Sequence, residues 1–192
     1  MRHGRNKPRL LLALYARPKH PESYHYALLI SPKITAALIN PPAKRLSATK
    51  YHVKNTIENI NNQISQPWRF EQAEINDVNQ EPRLLVCVVI GKVLAQERVE
   101  RVFHATPVCQ IDDADREKAL AFDCRSWVID VVEGLRQSDA VSSLLDWGLL
   151  ERKTVEYVNG KKRTGRWGAG RDAGKILGVP ILDLITGMEI NS

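Results

Sequence analysis

Three residues of the chain have the types and positions that thiol-based acyl transfer requires, namely Cys124, His25 and His52. Cys124 follows Asp123, a suitable N-cap for the apolar helical stripe that comes next, so its thiol is predicted at the positive end of a helix dipole. That position lowers the pKa of a thiol and favours the thiolate, which attacks carbonyl carbons. Both histidines lie in strand-like segments, and either could be the base that makes the cysteine a nucleophile.

The competing interpretation is that the cysteines are inert. An isolated cysteine in an apolar helix is usually a small core residue, and this applies fully to Cys87 within LLVCVVIG. Cys109 shows no activating pattern. Three cysteines without framework spacing favour a reducing, cytoplasmic compartment over a secreted disulfide scaffold. Because no CxxC pair exists and the histidines are scattered, the sequence predicts no metal, and no cofactor is expected.

The formal net charge of +6 is concentrated near the two ends of the chain. The first 21 residues contain six Lys and Arg and no acid, and residues 151–175 are also basic. Clustered cations release counterions from a nucleic-acid backbone, which predicts a phosphate-bearing partner, although solvated tails are the alternative. The candidate RNA contacts are Lys161, Lys162, Arg163, Arg166 and Trp167, whose indole is suited to stacking on an unpaired base.

The N-terminus combines basic residues with the apolar run LLLALYA, as a signal peptide does. The run is short for that role, and Arg17-Pro18-Lys19 follows at once, so a core strand explains it equally well. No stretch approaches the roughly 20 apolar residues of a membrane span, and no membrane partner is expected.

The elements that must position these residues change from strands to helices along the chain. Strands are predicted at 10–16, 25–31, 50–54, 68–71 and 84–90, with loops at 39–47 and 55–67. Helical periodicity covers 93–103, 123–136 and 141–158, and a flexible basic loop is predicted at 159–175. This order predicts one α+β domain over residues 1–192, with an antiparallel sheet packed on helices.

Two of these segments resemble the lecithin–retinol acyltransferase group of permuted papain-like thiol enzymes. SYHYALLISPK is similar to that group's HWALYIG-type histidine strand, and DCRSWVIDVVEGLRQSDAV is similar to its NCEHFVNELRYG-type nucleophile helix. The resemblance implies a permuted papain-like fold in which Cys124 is the nucleophile, His25 the base and His52 the second histidine. The group's Asn-Cys-Glu-His becomes Asp-Cys-Arg-Ser here, so Arg125 brings a different charge to the substrate.

The overall layout also resembles small fungal proteins that are similar to arginine-containing cyclodipeptide synthases. The shared features are the YHxALL and YHVK strands, the cysteine–tryptophan helix and a C-terminal PxxDL element, here 180–184. The resemblance implies that an aminoacyl group passes from aminoacyl-tRNA to Cys124 as a thioester and then enters a cyclic dipeptide. An arginyl substrate needs a carboxylate for bidentate contact, and Glu71, Glu74 and Asp123 are candidates.

Two alternatives remain open from the sequence. One is a thiol hydrolase or acyltransferase that acts on lipid or peptide with the same Cys124 and His25. The other is a basic RNA-binding module without catalytic activity, in which Cys124 is buried. The sequence specifies neither the second substrate nor the oligomeric state.

Overall fold

The computed structural model describes residues 6–34, 45–60, 62–167 and 178–191. This part of the chain contains ten strands and four helices. Seven strands come first, three helices follow, and three further strands and the fourth helix complete the order. The strands are β1 (Arg9–Ala16), β2 (Tyr24–Ser31), β3 (Ala48–Asn55), β4 (Glu58–Ile60), β5 (Gln63–Ser65), β6 (Trp68–Ile75), β7 (Leu84–Val93), β8 (Val141–Ser142), β9 (Ile181–Asp183) and β10 (Met188–Asn191). The helices are α1 (Gln96–Ala105), α2 (Arg116–Ala121), α3 (Cys124–Gln137) and α4 (Trp147–Arg163), and a short 3-10 helix covers Val78–Gln80.

Eight strands form one twisted sheet with the order β10-β9-β7-β1-β2-β3-β6, and β8 pairs with β7 at the side. All pairs in this sheet are antiparallel except β7 with β9, which is parallel. The hairpin of β4 and β5 forms a separate two-stranded sheet. The predicted α+β class with a large antiparallel sheet is therefore confirmed.

Both faces of the central strands β1, β2 and β7 are buried. On one face, α3 packs on β2 and β3, α4 packs on β7, and α1 packs on α3. On the other face, apolar side chains of the central strands meet short segments around Ile34, Leu46, Val78 and Val179. A strand covered on both sides reads as a continuous apolar run, which explains the sequences of β1 and β7.

Helix α3 begins where the sequence predicted. The Asp123 carboxylate accepts from the Ser126 backbone N–H at 2.8 Å, and the Ser126 hydroxyl accepts from the Asp123 backbone N–H at 2.8 Å. This reciprocal capping box satisfies two donors at the helix start and fixes the position of Cys124 as the first helical residue. Helix α3 then packs its apolar side chains against the sheet, and Trp127 is the largest of them.

Four sequence predictions of local structure were wrong in part. The loop predicted at 55–67 contains the hairpin of β4 and β5, and the helix predicted from 93 begins at Gln96, because Val93 pairs with Val141 in the sheet. The helix predicted at 141–158 begins only at Trp147, because Val141–Ser142 pairs with β7 and Asp146 supplies the N-cap. The helix also continues through Gly160 to Arg163, so the loop predicted from 159 begins later, and residues 168–175 lie outside the described part. Helix α2 was not predicted. Of the predicted loop at 39–47, residues 39–44 lie outside the described part as well.

Candidate functional site

A chain of hydrogen bonds joins Glu71, His52 and His25 across three neighbouring strands. His25 Nε2 lies 2.7 Å from His52 Nδ1, and His52 Nε2 lies 2.7 Å from Glu71 Oε2. The register of β3 and β6 places His52 directly opposite Glu71. Lys54 Nζ donates to the other carboxylate oxygen at 2.6 Å. The sheet therefore holds two imidazoles and a carboxylate in a fixed line.

The protonation states of these three side chains follow from their hydrogen-bond partners and their burial. The hydrogen bond from Lys54 holds the pKa of Glu71 below its usual value, so the carboxylate is ionised and accepts from His52 Nε2. Burial lowers the pKa of His52, so this imidazole is neutral and its Nδ1 accepts a hydrogen bond from Nε2–H of His25. Neutral imidazole carries one N–H, and that of His25 is therefore at Nε2. Nδ1 of His25 therefore carries no proton.

His25 forms part of the wall of a cleft of about 840 Å³, with His52 and Glu71 behind it. Four cationic side chains line the cleft against one acid, Glu81. Glu81 is itself paired, because it accepts from Lys50 Nζ at 2.7 Å and from the Tyr15 hydroxyl at 3.3 Å. The Tyr15 ring meets His25 edge-on with 5.9 Å between ring centroids. The cleft is thus suited to an anion. The cations are Arg17, Lys19, Lys50 and Arg83.

The same surroundings keep His25 neutral. Burial is the main cause that lowers the pKa of His25 to about 3, and the neighbouring His52, Lys50 and Arg17 act in the same direction. Protonation of an imidazole in this place is opposed because a new positive charge is poorly solvated and meets other cations. His25 is therefore unprotonated over the whole ordinary pH range.

Cys124 differs from its predicted state. It is the first residue of α3 but only 5% exposed, and burial raises the pKa of its thiol. A hydrogen bond from the backbone of Tyr26 opposes this effect without overcoming it. The predicted lowering of the thiol pKa was wrong, because desolvation of the thiolate exceeds the stabilisation from the helix start.

The predicted hydrogen-bonded pair of Cys124 with a histidine is not formed. Tyr26 and Cys124 belong to the same apolar cluster on the helical face of the sheet. Successive side chains of a strand point to opposite faces, so His25 points away from that cluster, toward Tyr15 and His52. Among the residues that the structure describes, no hydrogen bond joins the Cys124 sulfur to either imidazole.

The predicted substrate-binding residues are separated. Glu71 lies in the histidine chain, whereas Asp123 is occupied as the cap of α3. Arg125 forms a bidentate pair with Glu151 at 2.5 and 2.6 Å on the helical side. Glu74, on the edge strand β6, accepts from the Thr49 hydroxyl at 3.0 Å. These carboxylates and the guanidinium do not converge on one substrate group.

Two of the five predicted RNA contacts are engaged within the fold. Lys161 Nζ lies 2.5 Å from Glu189 Oε1, which ties the end of α4 to β10. Arg166 donates to the backbone oxygen of Gly178 at 2.5 Å. Both interactions fix the C-terminal segment against the helix, so a structural role accounts for these residues.

The other three predicted RNA contacts point outward. Lys162 lies over the Tyr24 ring, with 4.7 Å between Nζ and the centroid. Arg163 is exposed, and the Trp167 indole is 40% exposed. Lys162 and Trp167 line a second pocket, which shares Arg17 with the histidine cleft. The fold therefore brings together parts of the two basic ends.

Sequence reasoning missed the residues that complete the cleft. Lys50 lies two residues before His52 on the same strand, and this period-2 spacing was a signal that the two share a face. Tyr15 lies directly opposite His25 in the pairing of β1 and β2, which a hairpin register could have suggested. Glu81 precedes β7 and carries no signal in the sequence.

The described residues contain no group of three or more His, Cys, Asp and Glu side chains that could hold a metal ion. In the same part of the chain, every helix is too short or too polar to cross a membrane. Fold and site together define an α+β domain with a carboxylate–histidine–histidine chain behind a cationic cleft.

The chain belongs to a family of unknown function (DUF6914), whose profile matches residues 7–191. No curated protein matches the chain, and no solved structure matches it.

Proposed function

We propose that this domain is an enzyme of acyl transfer in which His25 is the general base, aligned by His52 and Glu71. The observation that carries the proposal is the pair of 2.7 Å hydrogen bonds that leaves Nδ1 of His25 unprotonated in the wall of a cleft. A carboxylate behind an imidazole fixes its tautomer and stabilises the positive charge that forms during proton transfer. Here the second imidazole extends this arrangement by one residue.

The proposed reaction begins with an amine or hydroxyl that attacks the carbonyl carbon of an ester. Nδ1 of His25 takes the proton of the attacking group while the new bond to carbon forms. The ester carbon–oxygen bond then breaks, and the leaving oxygen takes the proton back from Nδ1. Arg17, which lines the same cleft, supplies positive charge near His25 and favours the negative oxygen of the tetrahedral intermediate.

The charge of the cleft supports a substrate that carries phosphate. Arg17, Lys19 and Arg83 line the cleft, and its acid Glu81 is paired with Lys50. An aminoacyl-tRNA is an activated ester on a polyanion, so it satisfies both requirements. We retain it, with an arginyl group and a cyclic dipeptide product, as the substrate to test first.

The test uses purified protein and a pool of aminoacyl-tRNAs, with ester loss and small products followed by mass spectrometry. We expect His25→Gln to lower turnover by roughly 10²-fold or more, because general-base catalysis contributes about that factor. His104→Gln is the matched control, since His104 is an exposed histidine of α1 outside the chain of hydrogen bonds. Full activity of His25→Gln would refute the proposed base, and no turnover by the wild type would refute the substrate.

Cys124-dependent acyl transfer is the second candidate. The specific observation in its favour is that the Cys124 thiol receives a hydrogen bond from the backbone of Tyr26, the residue next to His25. A permuted papain-like arrangement requires sulfur and imidazole to meet, so a rearrangement near the start of β2 would have to bring them together. In the same assay, Cys124→Ala abolishes turnover if this candidate is correct and preserves it if His25 acts alone.

A further inference from the structure

A second pocket of about 390 Å³ lies beside the histidine cleft, where the turn between β1 and β2 meets the end of α4. Ala16, Arg17 and Pro18 belong to the walls of both cavities. The two cavities are therefore neighbours that share these three residues as a common wall. We call this cavity the Trp167 pocket.

The walls of the Trp167 pocket combine apolar and aromatic surface with positive charge. Pro18, Pro21 and Leu85 supply apolar surface, and the Trp167 indole is 40% exposed. None of the described residues that line this pocket is acidic. An accessible indole beside cations is the arrangement that proteins use to stack an unpaired base next to its phosphate.

The charges in this pocket are not neutralised by the fold. Lys161, one residue away from Lys162, pairs with Glu189. Lys162 instead lies over the Tyr24 ring, and Arg17 donates to the Ser23 hydroxyl at 3.3 Å. Within the described ranges, neither Lys162 nor Arg17 forms an ion pair with a carboxylate. Both cations are therefore available to an anion.

We propose that the Trp167 pocket binds a nucleotide, with its base against the indole and its phosphate between Arg17 and Lys162. This inference rests on the proposed function and specifies its substrate class, because the pocket adjoins the cleft that His25 lines. The ligand chemistry is the same for a free nucleotide and for the end of a single-stranded RNA.

The test is isothermal titration calorimetry with adenosine monophosphate, a short single-stranded RNA ending in adenosine, and inorganic phosphate. We expect the two nucleotide ligands to bind and inorganic phosphate to bind much more weakly. Trp167→Ala should weaken nucleotide binding by about 10-fold or more, whereas Trp167→Phe, which keeps an aromatic ring, should retain most of it. Thermal unfolding of both variants checks that the fold is intact.

The contribution of positive charge to nucleotide binding is tested with variants of two adjacent cationic residues, of which only the first lines the pocket. Lys162→Gln should weaken binding and reduce its dependence on salt concentration, because one phosphate contact is lost. Arg163→Gln removes the same charge from an exposed position that does not line the pocket, and should bind as the wild type does. Equal effects of the two variants would show that only the general charge of the surface matters, which would overturn the proposal.

The remaining outcomes separate the two possible ligands and the two proposals. Binding of adenosine monophosphate that is lost in Trp167→Ala supports a free nucleotide, and binding of the RNA alone with the same loss supports an RNA end. Binding of neither, or equal binding by Trp167→Ala and wild type, overturns the inference. His25→Gln should still bind nucleotide, so a failure of the catalytic proposal leaves this measurement unaffected.

Discussion

Acidification should destabilise this protein well above the pH at which its carboxylates titrate, and His25 is the main reason. The pKa of His25 is lowered by burial to about 3 in the folded protein, against 6.5 for an unperturbed histidine. Between these two values the unfolded chain binds a proton that the folded protein does not bind. The free energy of unfolding is therefore fully retained above pH 6.5 and is lost as the pH falls toward 3.

The size of the effect follows from the two pKa values. Linkage gives a loss of about 2 kcal/mol from His25 alone between pH 7.5 and pH 5. For a domain of this size that loss corresponds to a fall of roughly 4 to 8 °C in the midpoint of thermal unfolding. His52, whose pKa is also lowered by burial, adds to the loss in the same direction. Glu71 and Glu151, whose pKa values are lowered, contribute mainly below about pH 4.5.

The measurement is denaturant unfolding at pH 7.5 and pH 5 for the wild type, His25→Gln and His104→Gln. Glutamine keeps an N–H that can donate to His52 but cannot be protonated. We expect His25→Gln to lose about 2 kcal/mol less than the wild type between the two pH values, and His104→Gln to follow the wild type. An identical pH dependence in His25→Gln and wild type would refute the claim that His25 is held neutral by burial.

Three further predictions test other parts of the structure. In the folded protein Cys124 should resist alkylation by iodoacetamide at pH 6, and mass spectrometry of the labelled peptide checks this. Gly91→Ala should cost about 1 to 3 kcal/mol of stability in denaturant unfolding, because a Cβ there would overlap Val141 Cγ1 and lie 2.8 Å from the Ser142 backbone oxygen, whereas Gly160→Ala, whose Cβ would meet Arg163 Nη2 at an ordinary contact distance of 3.9 Å, should gain about 0.5 to 1 kcal/mol. Glu71→Gln should lower turnover about 10-fold, measured with the same acyl-transfer assay, because a neutral amide cannot stabilise the imidazolium.

The local structure was largely predictable from the sequence, because it depends on short-range signals. The Asp123 cap and the stripe that follows it specify α3, and the confirmed helix differs from the predicted range by one residue at each end. The five predicted strands all exist, and β6 is longer than predicted. The end of α4 was missed because Gly160 was interpreted as a loop signal, although the helix continues through it.

The pairing of the proposed catalytic side chains was not predictable, and the reason lies in how the sheet is buried. A sheet with one solvated face alternates apolar and polar residues, and the alternation shows which side chains share a face. β2 is covered on both faces, so YHYALLIS gives no such signal. A shift of one residue would turn His25 toward Cys124 and Tyr26 toward His52.

The residues around β2 determine which of the two faces His25 occupies. Tyr24 donates to Asn159 at 3.1 Å and Tyr26 donates to Glu151 at 2.9 Å, both on α4, so these two tyrosines hold the strand with His25 on the other side. The two tyrosine hydroxyls are thus positioning groups for an imidazole that they do not touch. Any scheme that pairs His25 with Cys124 must first release both of these hydrogen bonds, whereas the chain to Glu71 requires no movement at all.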